Sequence, residues 1–155
     1  MNIFVLDKDP HKAAEYLCNK HVVKMLLESA QILCTVSWKC DVRAPYKLIH
    51  VNHPVVIWAG QTLSNYNWLL EHALAIGYEY GYRFNKSHSS EKVLSWCAIH
   101  GGRPDTGGLT EFVQIMPDQY KCDDVVKAYR NYYKGEKRLF AKWTPSSRIP
   151  EWWLL

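Results

Sequence analysis

Apolar positions recur along most of this chain at helical rather than strand spacing, and one segment breaks the usual pattern. From residue 21 to residue 33 nearly everything is apolar (Val22, Val23, Met25, Leu26, Leu27, Ala30, Ile32, Leu33), yet His21, Lys24, Glu28 and Gln31 interrupt it. Spacings of three, four and three place these four on one stripe of a helix. A surface helix is normally polar over a broad face, whereas this one is apolar almost all round with a single polar line. Ionisable groups on a largely buried helix are costly unless paired, hydrogen-bonded or facing a cleft. The stripe therefore reads either as the floor of a pocket or as a buried polar network that only fixes packing.

Around that helix, expected over residues 21–38, the remaining elements follow. Residues 2–6 (Asn-Ile-Phe-Val-Leu) are short, apolar and β-prone, an extended lead-in. Asp9-Pro10 is a helix start, with Asp9 as cap and Pro10 in the first turn, and that helix runs to about Cys18. Residues 40–52 read as loop. Pro54 opens what the periodicity of Val56, Trp58, Leu63, Trp68, Leu69, Ala73 and Ile76 predicts to be the longest helix, to about Tyr82. Ser89 is expected to cap a helix to about Ile99. Four glycines and a proline within residues 100–108 make a loop, and Pro117 stops any element there. Asp123 or Asp124 starts a last helix through about Leu139, followed by an irregular, aromatic-rich tail. The reading is a mainly α chain, residues 1–155 forming a single compact domain, without internal repeat or linker.

Composition narrows the possibilities. A chain of 155 residues with 48% hydrophobic content is long enough to bury a core and is not disordered. No apolar run is long enough to span a bilayer, and the N-terminus has neither a basic region nor a cleavage site of a signal peptide. Five cysteines, none as Cys-x-x-Cys, fit a reducing cytoplasmic setting and exclude zinc-finger spacing. Net charge is +4, but residues 121–148 hold eight basic and three acidic side chains, leaving the rest about neutral. A basic C-terminal third suggests a polyanion partner, with solvated surface charge as the plain alternative.

Three constellations remain. His50-x-x-His53 could supply metal ligands, but no acidic residue lies at a fitting spacing, so His53 is read as the cap of the helix at Pro54 and no metal is expected. Cys34 and Cys97 fall on apolar faces and read as buried, inert thiols. The segment containing Tyr129, Arg130, Tyr132, Tyr133, Lys134, Lys137 and Arg138 interleaves rings with cations, the composition that stacks bases and holds phosphates. Because Tyr132 and Tyr133 are adjacent, both cannot enter the same core, which favours a nucleic-acid surface over a purely internal role.

Taken with these residues, three patches carry a family likeness: His21 with Glu28 seven positions on, His53-Pro54 leading through an apolar helix to Glu79-Tyr-Gly-Tyr-Arg83-Phe84, and the basic Tyr129–Gly135 stretch. The chain resembles the small helical pyrimidine-dimer DNA glycosylases with abasic-site lyase activity, of the phage endonuclease V type. It also resembles a set of viral open reading frames. The resemblance implies double-stranded DNA as partner, no cofactor, and a nucleophile that is the chain's own α-amino group, attacking C1′ and leaving an imine. A terminal amine has a reference pKa of ~7.7–8.0 against ~10.4 for lysine, so far more of it is free base near neutrality. Glu28 matches the family carboxylate that stabilises the cationic sugar and assists proton transfer, and His21 is its orienting or phosphate-contacting neighbour. Asn2, Gln31, His53, Arg83, Arg130, Tyr132, Tyr133, Lys134 and Lys137 are the expected substrate contacts.

Two departures qualify the likeness. Asn2 is too bulky for ordinary methionine removal, so the amine should belong to Met1, with Lys24 as the substitute imine-former. Where the family tends to carry arginines beside and after its carboxylate, this chain has Leu27 and Gln31. The competing readings are a non-catalytic pocket protein that binds a nucleotide, and an enzyme modifying small nucleotides with Glu28 and His21.

Overall fold

A computed structural model describes residues 1–102 and 104–155 of the chain. Its regular elements are all helical, with no strand among the described residues: α1 (Pro10–Tyr16), α2 (Asn19–Lys39), α3 (Pro54–Ala59), α4 (Leu63–Phe84), α5 (Glu91–His100), α6 (Val125–Lys137) and α7 (Glu151–Leu154), plus a 3-10 turn at Asp118–Tyr120. The chain is mainly α, as its apolar periodicity predicts. Of the loop expected over residues 100–108, Arg103 lies outside the described residues.

The caps behave as their chemistry requires. Asp9 accepts the amide hydrogens of His11 and Lys12, His53 Nδ1 accepts that of Val55, and Asp124 accepts those of Val126 and Lys127. The long helix expected over residues 54–82 is instead two. Gly60 ends α3, and Thr62, its hydroxyl accepting from Asn65 N, starts α4. The apolar period runs on across this break, which hides it. Ser90 rather than Ser89 occupies the cap position of α5. The tail is irregular as expected, except that it closes with the single turn of α7.

Helices α2 and α4 form the centre, with α1 and α5 on α4 and with α3 and α5 on α2. Val22, Met25, Leu26, Ile32 and Leu33 of α2 and Tyr66, Leu69, Ala73 and Ile76 of α4 are buried in one core. Arg83, at the end of α4, is sealed in as well. It pairs with Glu79 at 2.7 Å and donates to the carbonyls of Leu17 and Glu15, so it satisfies carbonyls that the C-terminus of α1 leaves unpaired. Its expected role as a DNA contact is therefore corrected: the guanidinium is fully committed inside the fold. On the same helix His72 Nδ1 contacts the Pro10 carbonyl at 2.9 Å and Trp68 Nε1 donates to that of Lys8. These contacts tie the chain's first ten residues to the core.

Candidate functional site

The lead-in is non-helical and buried from Asn2 to Leu6. Its course is set by Asn2, whose Oδ1 accepts the amide hydrogens of Ile3 at 2.7 Å and Phe4 at 2.9 Å. Phe4 consequently takes a left-handed backbone, φ 42°, a conformation an aromatic residue adopts only when its surroundings impose it. The result is a stacked contact between the Phe4 ring and the imidazole of His21, centroids 4.5 Å apart.

This bend delivers the start of the chain to the polar stripe of α2. The backbone N–H of Asn2 donates to Glu28 Oε2 at 3.1 Å, while Lys24 Nζ lies 3.6 Å from Oε1. The Glu28 side chain is 13% accessible and that of Lys24 62%, so the carboxylate is sheltered and the ammonium faces water. Opposite stands a second wall. Asn2 Nδ2 donates to the Ile115 carbonyl, and the loop bearing Ile115 is clamped by Tyr129, whose hydroxyl donates to Val113 O and accepts from Ile115 N. Tyr132 stacks beyond Phe4, and Lys137 Nζ lies 4.4 Å from the Tyr132 ring centroid.

Between the walls is an open cleft of about 320 Å³ lined by Met1, Asn2, Phe4, His21, Lys24, Met25, Glu28, Ile115, Met116, Tyr132 and Lys137. Seven of the residues singled out from sequence meet here: Met1, Asn2, His21, Lys24, Glu28, Tyr132 and Lys137. Phe4, Ile115 and Met116 carry no chemical signal in the sequence and enter through folding alone. Lys20 was also missed; it lies close enough, with Lys24 and Lys137, to bear on His21, and its Nζ sits 4.6 Å over the Phe140 ring. Its one-turn spacing from Lys24 was the available clue.

The other residues stand elsewhere. His53 is outside the cleft lining, yet the terminal ammonium and Glu28 both influence its titration; burial, followed by the terminal ammonium, lowers its pKa. Gln31 and Lys134 are half-buried and do not line the cleft. Arg130 is held by the Leu6 carbonyl and Asp7 between the rings of Tyr16 and Trp152. It lines a separate, larger cavity of about 720 Å³ between α1, α4 and the tail, which contains neither Glu28 nor the N-terminus. Tyr133 is 0% exposed, so its expected direct contact with DNA is corrected to an internal one. Adjacent tyrosines did split, but Tyr133 took the core side.

His21 lies in the cleft lining as a buried ring whose charge is set by its surroundings. Burial first, then the fields of Lys137, Lys24 and Lys20, hold its pKa at about 3, so it is neutral at physiological pH. Cys34 and Cys97 are buried, with sulfurs 3.9 Å apart. Among the described residues no group of three or more His, Cys, Asp or Glu side chains is placed to hold a metal ion. No helix among them is long and apolar enough to cross a membrane.

An amide and an ammonium beside a sheltered carboxylate, in an open cleft rimmed by lysines and aromatic rings, are suited to an anionic substrate whose reacting carbon becomes electron-poor. The family model for pyrimidine dimer DNA glycosylases matches residues 1–92, which contain α1 to α4 and the whole polar stripe of α2. The chain belongs to that family, and the family is one of DNA-repair glycosylases. No curated protein and no solved structure matches the chain.

Proposed function

We propose that this protein excises a damaged or modified pyrimidine from duplex DNA and then cleaves the abasic strand, using the amino group at the start of the chain as nucleophile and Glu28 as the catalytic carboxylate. The observation that carries this reading is the 3.1 Å hydrogen bond from Asn2 N to Glu28 Oε2 at the floor of an open cleft. An amine in this position attacks C1′; the glycosidic bond breaks and its electron pair leaves with the base, which takes up a proton. Glu28 faces the positive charge that develops on the sugar. Ring opening gives an imine between the amine and C1′. Removal of a C2′ proton by the carboxylate then expels the 3′ phosphate. Lys20, Lys24 and Lys137 supply positive charge for the strand, and extrusion of the nucleotide is easiest where damage has already weakened stacking.

The nitrogen in contact with Glu28 belongs to Asn2, and this favours a second version of the nucleophile. Removal of Met1 would convert that amide into the free amine without moving it. With Met1 retained, the free amine is one residue away, on a residue that still lines the cleft. Intact-mass measurement of the active protein separates the two versions. Lys24, 3.6 Å from the carboxylate but largely in water, is the remaining amine.

Borohydride reduction in the presence of a dimer-containing or abasic duplex tests the reading. A covalent protein–DNA adduct is expected, lost when the terminal amine is acetylated and formed far more slowly by Glu28→Gln. Absence of an adduct with folded protein, together with stabilisation by free nucleotides, would point to the nucleotide-binding alternative instead.

A further inference from the structure

We propose that Tyr133 is a positioning residue that fixes His21 as a neutral imidazole with its proton on Nε2, presented to the cleft as a hydrogen-bond donor for an oxygen of the bound nucleotide. This rests on the cleft being the excision site, although its first test does not.

Tyr133 is 0% exposed, and its hydroxyl oxygen accepts the backbone N–H of Cys18 at 3.0 Å and lies 2.7 Å from His21 Nδ1. A phenol has a single hydrogen to donate. If Nδ1 carried the imidazole proton, the oxygen would accept twice and the O–H would be left in a sealed site beside the Cys18 thiol, a weak acceptor. If the phenol donates to Nδ1, every group is satisfied. A neutral imidazole that accepts at Nδ1 carries its hydrogen on Nε2.

The rest of the surroundings hold that arrangement. The ring is stacked on Phe4 at 4.5 Å and meets the edge of Phe140 at 5.5 Å. Lys20 and Lys24 on its own helix and Lys137 on α6 all disfavour a second proton, and with it a positive charge, on the ring. Nε2 has no hydrogen-bond partner among the described residues and is not one of the sealed polar atoms, and His21 lines the cleft. Its free N–H therefore opens toward the space a nucleotide would fill, two turns from Glu28 on the same face. The lysines provide charge and His21 provides direction. Tyr133 acts only through His21, across the interface between α2 and α6.

Long-range proton–nitrogen spectra of the imidazoles, recorded on DNA-free protein and assigned with His21→Gln, read the tautomer directly. The expected result is a His21 signal of the Nε2–H form at pH 7 that does not titrate down to pH 5. In Tyr133→Phe the same signal should move toward the Nδ1–H form or begin to titrate, and excision kcat should fall ~10-fold with KM little changed. His21→Gln, whose amide N–H can stand in for Nε2–H, should keep more activity than His21→Leu. An Nδ1–H or doubly protonated His21 in the wild type at pH 7 would overturn the proposal. So would a His21 spectrum unchanged by Tyr133→Phe. Should Tyr133→Phe fail to fold, the wild-type spectrum alone decides. If the spectra hold and no excision occurs, it is the excision reading that fails.

Discussion

The two walls of the cleft are built on opposite plans. On the α2 side the ionisable groups meet in one place: Glu28 holds Asn2 N and Lys24, and His21 follows two turns away. On the α6 side, two tyrosines are used up as internal struts. Tyr129 clamps the 113–115 loop and Tyr133 braces His21, while Tyr132 and Lys137 are what reach the opening. Residues 1–92, which the family model covers, contain the first wall and none of the second. Reactive groups and the geometry that aims them are thus carried by separate parts of the chain. One wall should hold the reacting groups; the other should set stability, fit and, through Tyr133, the orientation of His21.

Substitutions can break that division. The largest effect is expected from Glu28→Gln, which removes the charge but keeps the shape. Turnover should drop by roughly 10²–10⁴-fold, with the melting temperature little changed, as measured by single-turnover cleavage and thermal melts. A large loss of stability would mean that Glu28 is a packing residue.

Acid should act next, through buried histidines rather than carboxylates. His21 has its pKa lowered from 6.5 to about 3, mainly by burial, and His72 from 6.5 to about 4, again by burial. Between these values and 6.5 the unfolded chain binds protons that the folded chain refuses. The contribution is fully present above about pH 6.5 and is lost as pH falls toward 4 and then 3. Urea unfolding at pH 5 should show a loss of roughly 2 kcal/mol per histidine relative to pH 7. A flat profile would contradict the burial of both rings.

Tyr129→Phe sharpens the contrast from the other wall. It strands two backbone groups of the 113–115 loop and should cost about 1–3 kcal/mol, lowering the melting temperature and raising KM while leaving kcat nearly intact. A fall in kcat without loss of stability would assign Tyr129 to the chemistry. The smallest change is expected for Lys20→Ala and Lys137→Ala. Each should weaken DNA binding modestly at physiological salt and reduce the salt slope by about one, as titrations at several ionic strengths would show.

Much of the first wall was legible in the sequence because helical spacing converts sequence separation into a shared face. His21, Lys24 and Glu28 needed only the period of α2 to be placed together. Legibility failed where a long-range partner decides a residue's role. Arg83 looked like a free cation, although Glu79 four residues earlier was a readable mate. Tyr133 looked like a surface ring, although Val125, Ala128 and Tyr129 share its stripe and are buried with it. The Gly60-Gln-Thr62 break resembles a helix end followed by a cap, but uninterrupted apolar periodicity masked it. No local pattern announces that Ile115 will meet Asn2, 113 residues away.

Peptide mapping of the borohydride-trapped complex identifies the attacking amine. After digestion of protein and DNA, the reduced sugar remnant is expected on the α-nitrogen of the N-terminal peptide, at Met1 or, if Met1 has been removed, at Asn2. A remnant on Lys24 or any other lysine, or none from folded, DNA-bound protein, would contradict the pairing of the chain's first amine with Glu28.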